Sequence, residues 1–466
     1  MLKKRLGWLQ SFLGRLSGKP KQASVGDVTI IPRDQHQVSR KLLSQNALKV
    51  LRRLESNGYQ AYLVGGCIRD ILVGGHPKDF DVATNATPEE ARSLFRNSRL
   101  IGRRFKLVHV QFGREVIEVA TFRAHHSQDS HGDGNHSHHS DDGQILRDNV
   151  YGTIKDDASR RDFTINALYY RLSDFAVKDY AGGLDDIDNR LVRLIGDPEQ
   201  RYREDPVRML RAIRFAAKLD FTIEKYTAEP IYNLGYLLEN IPPARLFDEV
   251  LKLFLNGHAA SSFQLLQDYG LLEQLLPATA AAIVEPDGFH TRFIHAALVN
   301  SDKRVRQGKS LTPAFLYAVF LWYSTLAYTQ QIEEQDVPKL PALNQGAMTA
   351  IENQNQRTTI PKRFAIPMRE IWELQYRLTR RFGKKADQTL NHPRFRAAYD
   401  FLLLREQAGE DLGGLGQWWT DYQVADEFVR RQMVKALQSG KYKKSRKPRR
   451  HNRKHHHRRK PSENEQ

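Results

Sequence analysis

Apolar residues recur at helical spacing between residues 39 and 58, which is the first strong hydrophobic pattern of the chain. This pattern predicts an amphipathic helix. An apolar run over residues 59–64 follows it, and its shortness and the glycines after it predict a buried strand. A short helix over residues 67–73 and a second strand around residues 79–83 are predicted next. Such closely spaced helices and strands are typical of an α+β domain.

Further along the chain, two β-rich runs over residues 104–112 and 115–122 predict a hairpin. Residues 125–143 are mostly His, Ser, Asp and Gly without apolar anchors, which predicts a disordered loop. Beyond residue 205, apolar residues recur at helical spacing until about residue 437. The pattern therefore predicts an α+β first part and an all-helical remainder.

These patterns divide the chain into five segments. The α+β head precedes the helical parts, and irregular or charged segments lie at both ends. We expect a flexible N-terminal extension (1–38), a head (39–185) that contains the disordered His-rich loop (125–143), a helical neck (186–275), a helical body (276–437) and a disordered basic tail (438–466).

The charge of the chain indicates a polyanionic partner. The 466 residues carry a formal net charge of +18 at pH 7. Residues 441–460 hold 12 Lys and Arg and no acidic residue, so the tail supplies most of this excess. Cys67 is the only cysteine, which excludes an intrachain disulfide and is consistent with a reducing compartment.

No apolar run in the sequence has the length that a bilayer span requires. The longest, over residues 313–323, has about half of that length. The basic and apolar N-terminus, residues 1–13, lacks the long apolar stretch and the cleavage site of a signal peptide. We expect a frayed extension there, with an amphipathic helix on a membrane surface as the alternative. We also expect the protein to be cytoplasmic and monomeric.

Asp79 and Asp81 are the strongest candidates for chemistry. Residues i and i+2 of a strand project to one face, so these two carboxylates can converge. Carboxylate oxygens suit Mg²⁺, which takes its remaining ligands from phosphates and water. The turn at Gly65 and Gly66 lets backbone N–H groups approach a triphosphate, and Arg69 on the following helix can pair with phosphate oxygens. This combination predicts nucleotidyl transfer from a nucleoside triphosphate with two metal ions.

Four motifs carry a family resemblance, and they follow one another in order along the chain. They are LVGGCIRDIL (63–72), KDFD (78–81), RRDFTIN (160–166) and REDPVRMLR (203–211). Together they closely resemble the motifs of class II nucleotidyltransferases, a superfamily that includes CCA-adding enzymes and bacterial poly(A) polymerases. The resemblance implies a polymerase-β-like nucleotidyltransferase head, with a mixed sheet and flanking helices. It also implies an elongated all-helical neck and body between this head and the basic tail.

The resemblance assigns roles to acidic residues. Asp79 and Asp81 would be the catalytic carboxylates that bind the metal. Asp162 resembles a third catalytic acidic position, which either completes the metal site or contacts the ribose. A structural ion pair between Asp162 and one of the two preceding arginines is the alternative, and Glu118 on the second hairpin strand is a rival third carboxylate.

The resemblance also implies residues that bind the nucleotide. Arg161 and Asn166 would hold the triphosphate or the sugar. Helical spacing places Asp205 and Arg208 on one face of a helix, and in the family this pair contacts the base edge. A carboxylate can accept from the N6 amino group of adenine, and a guanidinium can donate to N1. Cytosine offers the same groups, so the pair does not separate ATP from CTP.

One segment discriminates between the activities within the superfamily. Residues 100–110 (LIGRRFKLVHV) resemble the corresponding segment of bacterial poly(A) polymerases, in which Gly-Arg-Arg-Phe is followed by a histidine. Further similarity at residues 241–247, 313–318 and 392–400 extends this resemblance. It implies a template-independent polynucleotide adenylyltransferase that adds AMP from ATP to RNA 3′ ends, with Mg²⁺ or alternatively Mn²⁺. Such tailing of bacterial RNA promotes RNA turnover.

Two alternatives remain open. A CCA-adding tRNA nucleotidyltransferase would use the same core motifs. A non-enzymatic nucleic-acid-binding protein of the helix-turn-helix type would explain the positive charge, but it would leave Asp79 and Asp81 without a purpose.

The basic tail favours RNA as the partner. A flexible polycation binds phosphates without sequence preference, and its affinity falls as salt rises. We expect RNA 3′ ends of messenger, small or transfer RNA to bind there, and RNA-decay or RNA-chaperone proteins to be partners. The residues predicted to contact RNA are Lys443, Lys444, Arg446, Lys447, Arg449 and Arg450.

Overall fold

The computed structural model describes residues 23–102, 106–124, 137–139, 145–148, 150–283, 285 and 288–445. Among these residues, every helix is too short or too polar to span a bilayer. The chain divides into two compact units, a sheet-containing unit and a C-terminal unit. The first comprises Met1–Pro286, Ala297–Pro313 and Ile351–Pro361, and the second comprises Asp287–Ala296, Ala314–Ala350 and Lys362–Gln466.

The sheet-containing unit is built around one large mixed sheet. Its strands, and those of two small two-stranded sheets, are Thr29–Ile31 (β1), Ala61–Val64 (β2), Asp81–Thr84 (β3), Ser98–Ile101 (β4), Leu107–Phe112 (β5), Glu115–Thr121 (β6), Ser137–His139 (β7), Ile145–Asp148 (β8), Leu168–Arg171 (β9), Val177–Asp179 (β10), Leu191–Val192 (β11) and Thr222–Ile223 (β12).

Helices flank this sheet and then dominate the rest of the unit. They are Gln45–Ser56 (α1), Gly66–Leu72 (α2), Pro88–Leu94 (α3), Ile154–Arg160 (α4), Gly183–Asp188 (α5), Pro198–Glu204 (α6), Val207–Leu219 (α7), Lys225–Leu234 (α8), Pro243–Phe254 (α9), Ala259–Asp268 (α10), Leu272–Leu275 (α11) and Pro277–Ala282 (α12).

The large sheet has the strand order β1-β10-β9-β2-β3-β6-β5-β4. β3 and β6 are parallel, whereas the other neighbouring strands are antiparallel. The expected mixed sheet is therefore confirmed. The predicted hairpin is also present, because β5 and β6 pair on either side of Gly113, whose φ of 63° suits a glycine turn.

Burial explains the apolar patterns of this unit. α1 turns its apolar side to the core, with Leu48, Leu51 and Leu54 among its buried residues. All four residues of β2 are buried because the strand lies in the middle of the sheet, which accounts for its continuous apolar run. The helix and strand predicted for the start of the head are thus both found.

The structure differs from the prediction in the His-rich loop. Ser137–His139 and Ile145–Asp148 pair as antiparallel strands, with a register shift between His138 and His139. The expectation of disorder is therefore wrong for residues 137–139. A backbone ladder satisfies its own hydrogen bonds and can form without apolar anchors. The rest of that predicted loop lies outside the described residues.

The expectation that Asp205 and Arg208 share one helical face is also wrong. α6 ends at Glu204, α7 begins at Val207, and Asp205 between them has an extended backbone with φ −150° and ψ 93°. Pro206 accounts for the break, because a proline disfavours the helical conformation of the residue before it.

Nine further helices lie in the described part of the chain after residue 288. They are Phe289–Arg306 (α13), Pro313–Phe320 (α14), Trp322–Glu333 (α15), Lys339–Asn355 (α16), Lys362–Leu378 (α17), Lys385–Leu390 (α18), Phe395–Gln407 (α19), Leu415–Val424 (α20) and Glu427–Ser445 (α21).

Large aromatic side chains form much of the core of the C-terminal unit. Trp372 and Trp419 are both fully buried. Their indole N–H groups donate to the carbonyl oxygens of Ala318 and Leu378, at 3.0 Å in each case. These bonds satisfy the polar atom of each ring and fix its orientation. The all-helical second part that the sequence predicts is thereby confirmed as a packed unit.

The last helix extends further than expected. α21 continues to Ser445, past residue 438, where the sequence predicted the start of a disordered tail. Lys, Arg, Gln and Ala are good helix formers, so charge alone does not end a helix. The predicted boundary between body and tail therefore lies inside α21.

Candidate active site

Strand register brings two carboxylates together on the large sheet. Asp81 of β3 lies directly opposite Glu118 of the parallel strand β6, so both side chains project to the same face. Asp79 precedes β3, and it is exposed while Phe80 between the two aspartates is 6% exposed. His109 of β5 lies beside Glu118, with its Nε2 3.1 Å from Oε1 of Glu118. Three carboxylates therefore lie near the start of β3, and we refer to Asp79, Asp81 and Glu118 as the acidic row.

The surroundings of Asp81 disfavour its negative charge. Asp81 is exposed to solvent, but protein atoms around its carboxylate reduce its hydration and raise the pKa of Asp81 to about 6. The negative charges of Glu118 and Asp79 add to this rise, whereas the nearby Arg161 opposes it. A group of carboxylates that repel one another is suited to a cation, which would remove the repulsion.

The raised pKa predicts that ionised Asp81 destabilises the metal-free protein. The folded state binds this proton more tightly than the unfolded state, so stability falls as pH rises from about 4 to about 6 and stays lower above. Asp81→Asn removes the effect. In thermal unfolding with a chelator, we expect the variant to gain Tm over the wild type at pH 7 and to lose that gain towards pH 4. A gain that is the same at both pH values would contradict this assignment.

The glycine turn after β2 adopts a backbone that favours glycine. Gly65 has φ 77° and ψ −133°, and α2 begins at the next residue, Gly66. A Cβ on Gly65 would lie 3.5 Å from Nη1 of Arg161, and one on Gly66 would lie 3.4 Å from Nη2 of Arg69. Both glycines therefore bring the backbone close to a guanidinium group, as expected for a turn that accommodates phosphates.

Arg69 is held in a buried network. Its guanidinium donates to Oδ1 of Asn166 at 2.6 Å and to Oδ1 of Asp70 at 2.6 Å and 2.9 Å. It also lies over the ring of Phe215, 4.8 Å from the centroid, and the residue is only 3% exposed. Asn166 donates in turn to Asp162 at 3.0 Å. The structure thus brings Arg69 and Asn166 together, and the guanidinium of Arg69 is enclosed by Asp70, Asn166 and Phe215.

Asp162 forms an ion pair with Arg211 of α7. It accepts from Nε of Arg211 at 2.6 Å and from the backbone N–H of Phe163 at 2.8 Å. Burial by itself would raise the pKa of Asp162, but Arg211, Asn166 and the N–H of Phe163 lower it to about 2. The ion pair predicted as an alternative for Asp162 therefore exists, but its partner is Arg211 and not one of the two preceding arginines.

Arg161 lies between the acidic row and the glycine turn. It donates to Oδ2 of Asp157 at 3.0 Å and 3.2 Å and to the hydroxyl of Tyr169 at 2.8 Å. Arg161 lies beside Gly65, and it also opposes the rise in the pKa of Asp81. Its positive charge therefore lies between the glycine turn and the acidic row. Such a charge favours an anion between the turn and the carboxylates.

A second group of arginines lies on α6 and α7. Arg208 donates to the carbonyl of Arg201 at 2.7 Å and to Glu204 at 3.0 Å, and Arg201 donates to the carbonyls of Arg160 and Arg161 at 2.8 Å. Burial, followed by repulsion from neighbouring arginines, lowers the pKa of both Arg160 and Arg201 to about 10. Arg201 and Arg208 share the one carboxylate of Glu204, so positive charge predominates there and favours an anionic ligand.

Asp205 and Arg208 have separate side-chain partners. Arg245 of α9 donates to both carboxylate oxygens of Asp205, at 2.9 Å and 3.0 Å, whereas Arg208 is held by Glu204. The backbone N–H of Arg208 donates to the carbonyl of Asp205 at 3.0 Å. The two residues therefore remain neighbours through the backbone, although they do not share a helical face.

Several contacts of the site were missed in the sequence. Arg211 and Arg201 lie in or beside the fourth motif, where the density of arginine was the available signal. Arg245 lies in the similar segment at residues 241–247, but nothing there indicates Asp205 as its partner. For the contact of Tyr169 with Arg161, the sequence offers no signal.

The residues predicted to contact RNA lie at the end of α21 and after it. Lys443 and Lys444 belong to α21. Arg446, Lys447, Arg449 and Arg450 lie outside the described residues. The discriminating segment is described only in part, because residues 103–105 also lie outside.

Three family models match separate parts of the chain. The poly A polymerase head domain matches residues 61–193. A probable RNA- and SrmB-binding site of polymerase A matches residues 220–283. The polymerase A arginine-rich C-terminus matches residues 335–455.

Curated relatives match most of the chain. Poly(A) polymerase I of Salmonella typhimurium is 49% identical over 414 residues, which cover 88% of this chain and 89% of the relative. Poly(A) polymerase I of Escherichia coli O6:H1 is 50% identical over 402 residues, covering 85% and 86%. The CCA-adding enzyme of Lactobacillus helveticus is 37% identical over 229 residues, covering only 49% and 54%.

Solved structures share the fold at lower identity. A tRNA-processing enzyme complex is 20% identical, with a TM-score of 0.57 over 84% of this chain and 99% of that one. A CCA-adding enzyme of Thermotoga maritima complexed with tRNA is 18% identical, with a TM-score of 0.53 over 88% and 99%.

Proposed function

This chain belongs to the bacterial poly(A) polymerase family and is a polynucleotide adenylyltransferase, and from this premise we propose that it adds AMP from ATP to RNA 3′ ends at the acidic row of the head. One observation carries the proposal. Asp81 and Glu118 lie in register on parallel strands, next to Arg161 and the turn at Gly65. Carboxylates for a metal thus adjoin donors for a triphosphate.

The acidic row fits a divalent cation, and Asp79 and Asp81 are the residues that would hold it. Asp79 and Asp81 offer carboxylate oxygens, which Mg²⁺ prefers. The pKa of Asp81 is raised first by its loss of hydration and then by the negative charges of Glu118 and Asp79, and a cation would offset both effects. Within the described ranges, no group of three His, Cys, Asp or Glu could enclose a metal by itself. Mg²⁺ often uses only one or two carboxylates together with substrate phosphates. When bound, Mg²⁺, or Mn²⁺ in its place, would neutralise charge on the attacking hydroxyl and the leaving pyrophosphate.

The protein itself would act by positioning and charge, without a covalent intermediate. Arg161 and the backbone at Gly65 and Gly66 would hold the triphosphate near Asp81. We assign the third carboxylate to Glu118 because it lies beside Asp81 in register, whereas Asp162 is neutralised by its ion pair.

Asp162 and its neighbours would then serve nucleotide binding. The chain of contacts from Arg69 through Asn166 and Asp162 to Arg211 joins α2 to α7. This network would orient Asn166 towards the sugar and keep the positive charge of α6 and α7 near the turn.

Asp205 and Arg208 would contact the adenine edge. Arg245 fixes the carboxylate of Asp205 and Glu204 fixes Arg208, so both groups are held at the junction of α6 and α7. Held polar groups lose little freedom when a base binds, which favours recognition by hydrogen bonds.

The other roles remain part of the proposal. The head would be catalytic, the neck would bind the nucleotide, and the body and basic tail would bind RNA 3′ ends of messenger, small or transfer RNA. Cys67, the single cysteine, is free and buried, which supports a reducing compartment such as the cytoplasm. Contact of the N-terminus with the inner membrane, and of the body with RNA-decay or RNA-chaperone proteins, also stays a proposal.

A nucleotide-dependence assay tests the function. The full chain is incubated with a short RNA primer, Mg²⁺ and each nucleoside triphosphate in turn. We expect long ladders with ATP and little extension with CTP, GTP or UTP, because the adenylate donor is the substrate. Gel analysis of a labelled primer provides the measurement.

A tRNA that lacks its CCA end is the control substrate in this assay. Arrest after a few nucleotides, with an absolute requirement for CTP, would contradict poly(A) addition and favour a CCA-adding enzyme. Extension by ATP alone on both RNAs would support the proposal.

A further inference from the structure

The connection between α17 and α18 in the C-terminal unit concentrates exposed positive charge. Arg380, Arg381, Lys384 and Lys385 lie within six consecutive residues. Phe382 lies in their midst and is 45% exposed, although it is a large apolar side chain. We refer to residues 380–385 as the basic loop. Nothing in the proposed chemistry of the head uses it.

Aromatic rings hold three of these four cations, Arg380, Arg381 and Lys385, in place. The guanidinium of Arg380 lies 4.5 Å from the ring centroid of Tyr376 and donates to its hydroxyl at 2.6 Å. The ammonium of Lys385 lies 4.5 Å from the ring of Phe382. Cation–π contacts orient a cation without cancelling its charge. Three cations of the basic loop are therefore oriented by aromatic rings, and they keep their positive charge.

Several other arginines of the same unit are balanced by carboxylates. Arg377, Arg396 and Arg431 each pair with an acidic residue one helical turn away. Across the described part of the chain, no such ion pair involves Arg380, Arg381, Lys384 or Lys385. The loop thus gathers into six residues four cations that form no ion pair with a described residue, whereas these three neighbouring arginines are each neutralised by a carboxylate.

We propose that the basic loop binds single-stranded RNA, with its cations on successive phosphates and the ring of Phe382 stacked on a base. This inference rests on the proposed function, since it gives the RNA substrate a binding surface. Cations beside an exposed aromatic ring form the usual surface for single strands, because every base has a face that can stack. An anionic membrane fits less well, because membrane-binding segments bury several apolar residues and the loop offers one ring.

Two matched triple variants of the full chain test the role of charge. Arg380→Gln, Lys384→Gln and Lys385→Gln remove three unbalanced cations, whereas Arg377→Gln, Arg396→Gln and Arg431→Gln remove three paired ones. Arg381 is left intact because it packs against Trp418, 5.0 Å from the ring. The basic tail is unchanged in both variants, so it contributes equally.

Affinity for a fluorescent oligoadenylate is measured over a range of salt concentrations. We expect the loop variant to bind about tenfold more weakly at low salt, and its log–log salt slope to fall by about 2, because each single-strand phosphate contact contributes about 0.7. The paired control should keep the wild-type slope. Equal changes in both variants, or none in the loop variant, would overturn the proposal.

Phe382→Ala tests stacking separately from charge. We expect affinity to fall about fivefold or more with an unchanged salt slope, because one stacked base contributes about 1 kcal/mol or more. Phe382→Trp should restore binding. Wild-type affinity of Phe382→Ala would overturn the stacking contact.

Enzyme kinetics and vesicles separate the remaining outcomes. In AMP transfer, we expect the loop variant to have a higher KM for RNA and unchanged values of kcat and of the KM for ATP.

The two proposals can fail separately. Absence of AMP transfer by the wild type would refute the proposed function, while the binding data would still show whether the basic loop binds RNA. Loss of binding to phosphatidylglycerol vesicles with unchanged RNA affinity would overturn the inference in favour of a lipid surface.

Discussion

Asp81→Asn is expected to reduce AMP incorporation by at least about 10³-fold while the protein stays folded. Neutral Asn cannot balance a divalent cation, and the charge stabilisation lost at a metal site is several kcal/mol, of which about 4 kcal/mol corresponds to 10³ in rate. Because ionised Asp81 is disfavoured in the metal-free site, the variant should also be as stable as the wild type or more so. Primer extension with ATP gives the rate, and thermal unfolding gives the stability.

Asp79→Asn should show a similar loss of rate. Asp174→Asn is the matched control, because Asp174 is an exposed carboxylate of the same unit whose partner, Arg171, is also exposed. We expect the control to stay within about twofold of the wild type, as surface pairs contribute little. If Asp81→Asn kept more than a tenth of the activity with either Mg²⁺ or Mn²⁺, its assignment as a metal ligand would be wrong.

Glu118→Gln and Asp162→Asn should have opposite signatures. For Glu118→Gln we expect kcat to fall by about 10²-fold or more, because the row loses a charge beside Asp81, with little change in the KM for ATP or in stability. For Asp162→Asn we expect the free energy of unfolding to fall by about 1.5 kcal/mol, since Arg211 would lose a charged hydrogen-bond partner while its side chain, 37% exposed, stays partly hydrated. Its KM for ATP should rise as the network around Asn166 loosens.

Steady-state kinetics and denaturant unfolding of both variants distinguish the two assignments. Arg211→Lys is a useful companion, because it keeps the charge near Asp162 but loses the paired N–H donors of arginine. We expect it to share the stability loss of Asp162→Asn. A stable Asp162→Asn variant without measurable kcat, together with an active Glu118→Gln, would make Asp162 the third carboxylate.

The start of the head could be predicted closely from the sequence. β2, the glycine turn, α2 and β3 lie within a short stretch, and local rules govern each of them. The exposed Asp79 and Asp81 alternate with the buried Phe80, as strand geometry requires. The backbone of Gly65 has a positive φ, which favours glycine. The poly(A) activity, too, was inferred from sequence similarity. The structure adds nothing to that inference, because residues 103–105 of the discriminating segment lie outside the described residues.

Other parts of the prediction failed where one local rule competed with another. Helical spacing suggested a shared face for Asp205 and Arg208, but Pro206 ends the helix between them. Low hydrophobicity suggested disorder at residues 137–139, but backbone pairing forms a strand there. Both errors came from reading side-chain pattern without the backbone constraint.

The sequence by itself determined the reaction class and predicted the first two carboxylates, whereas only the tertiary structure shows which residues lie beside them. Sequence could name Glu118 and Asp162 as rivals but could not rank them, because the register of β3 and β6 depends on a long crossover. The same holds for Asp162 with Arg211, which are separated by 49 residues. Such pairs form only when elements that are distant in the sequence pack against each other. The local sequence pattern of either element does not show which residue of the other will lie opposite.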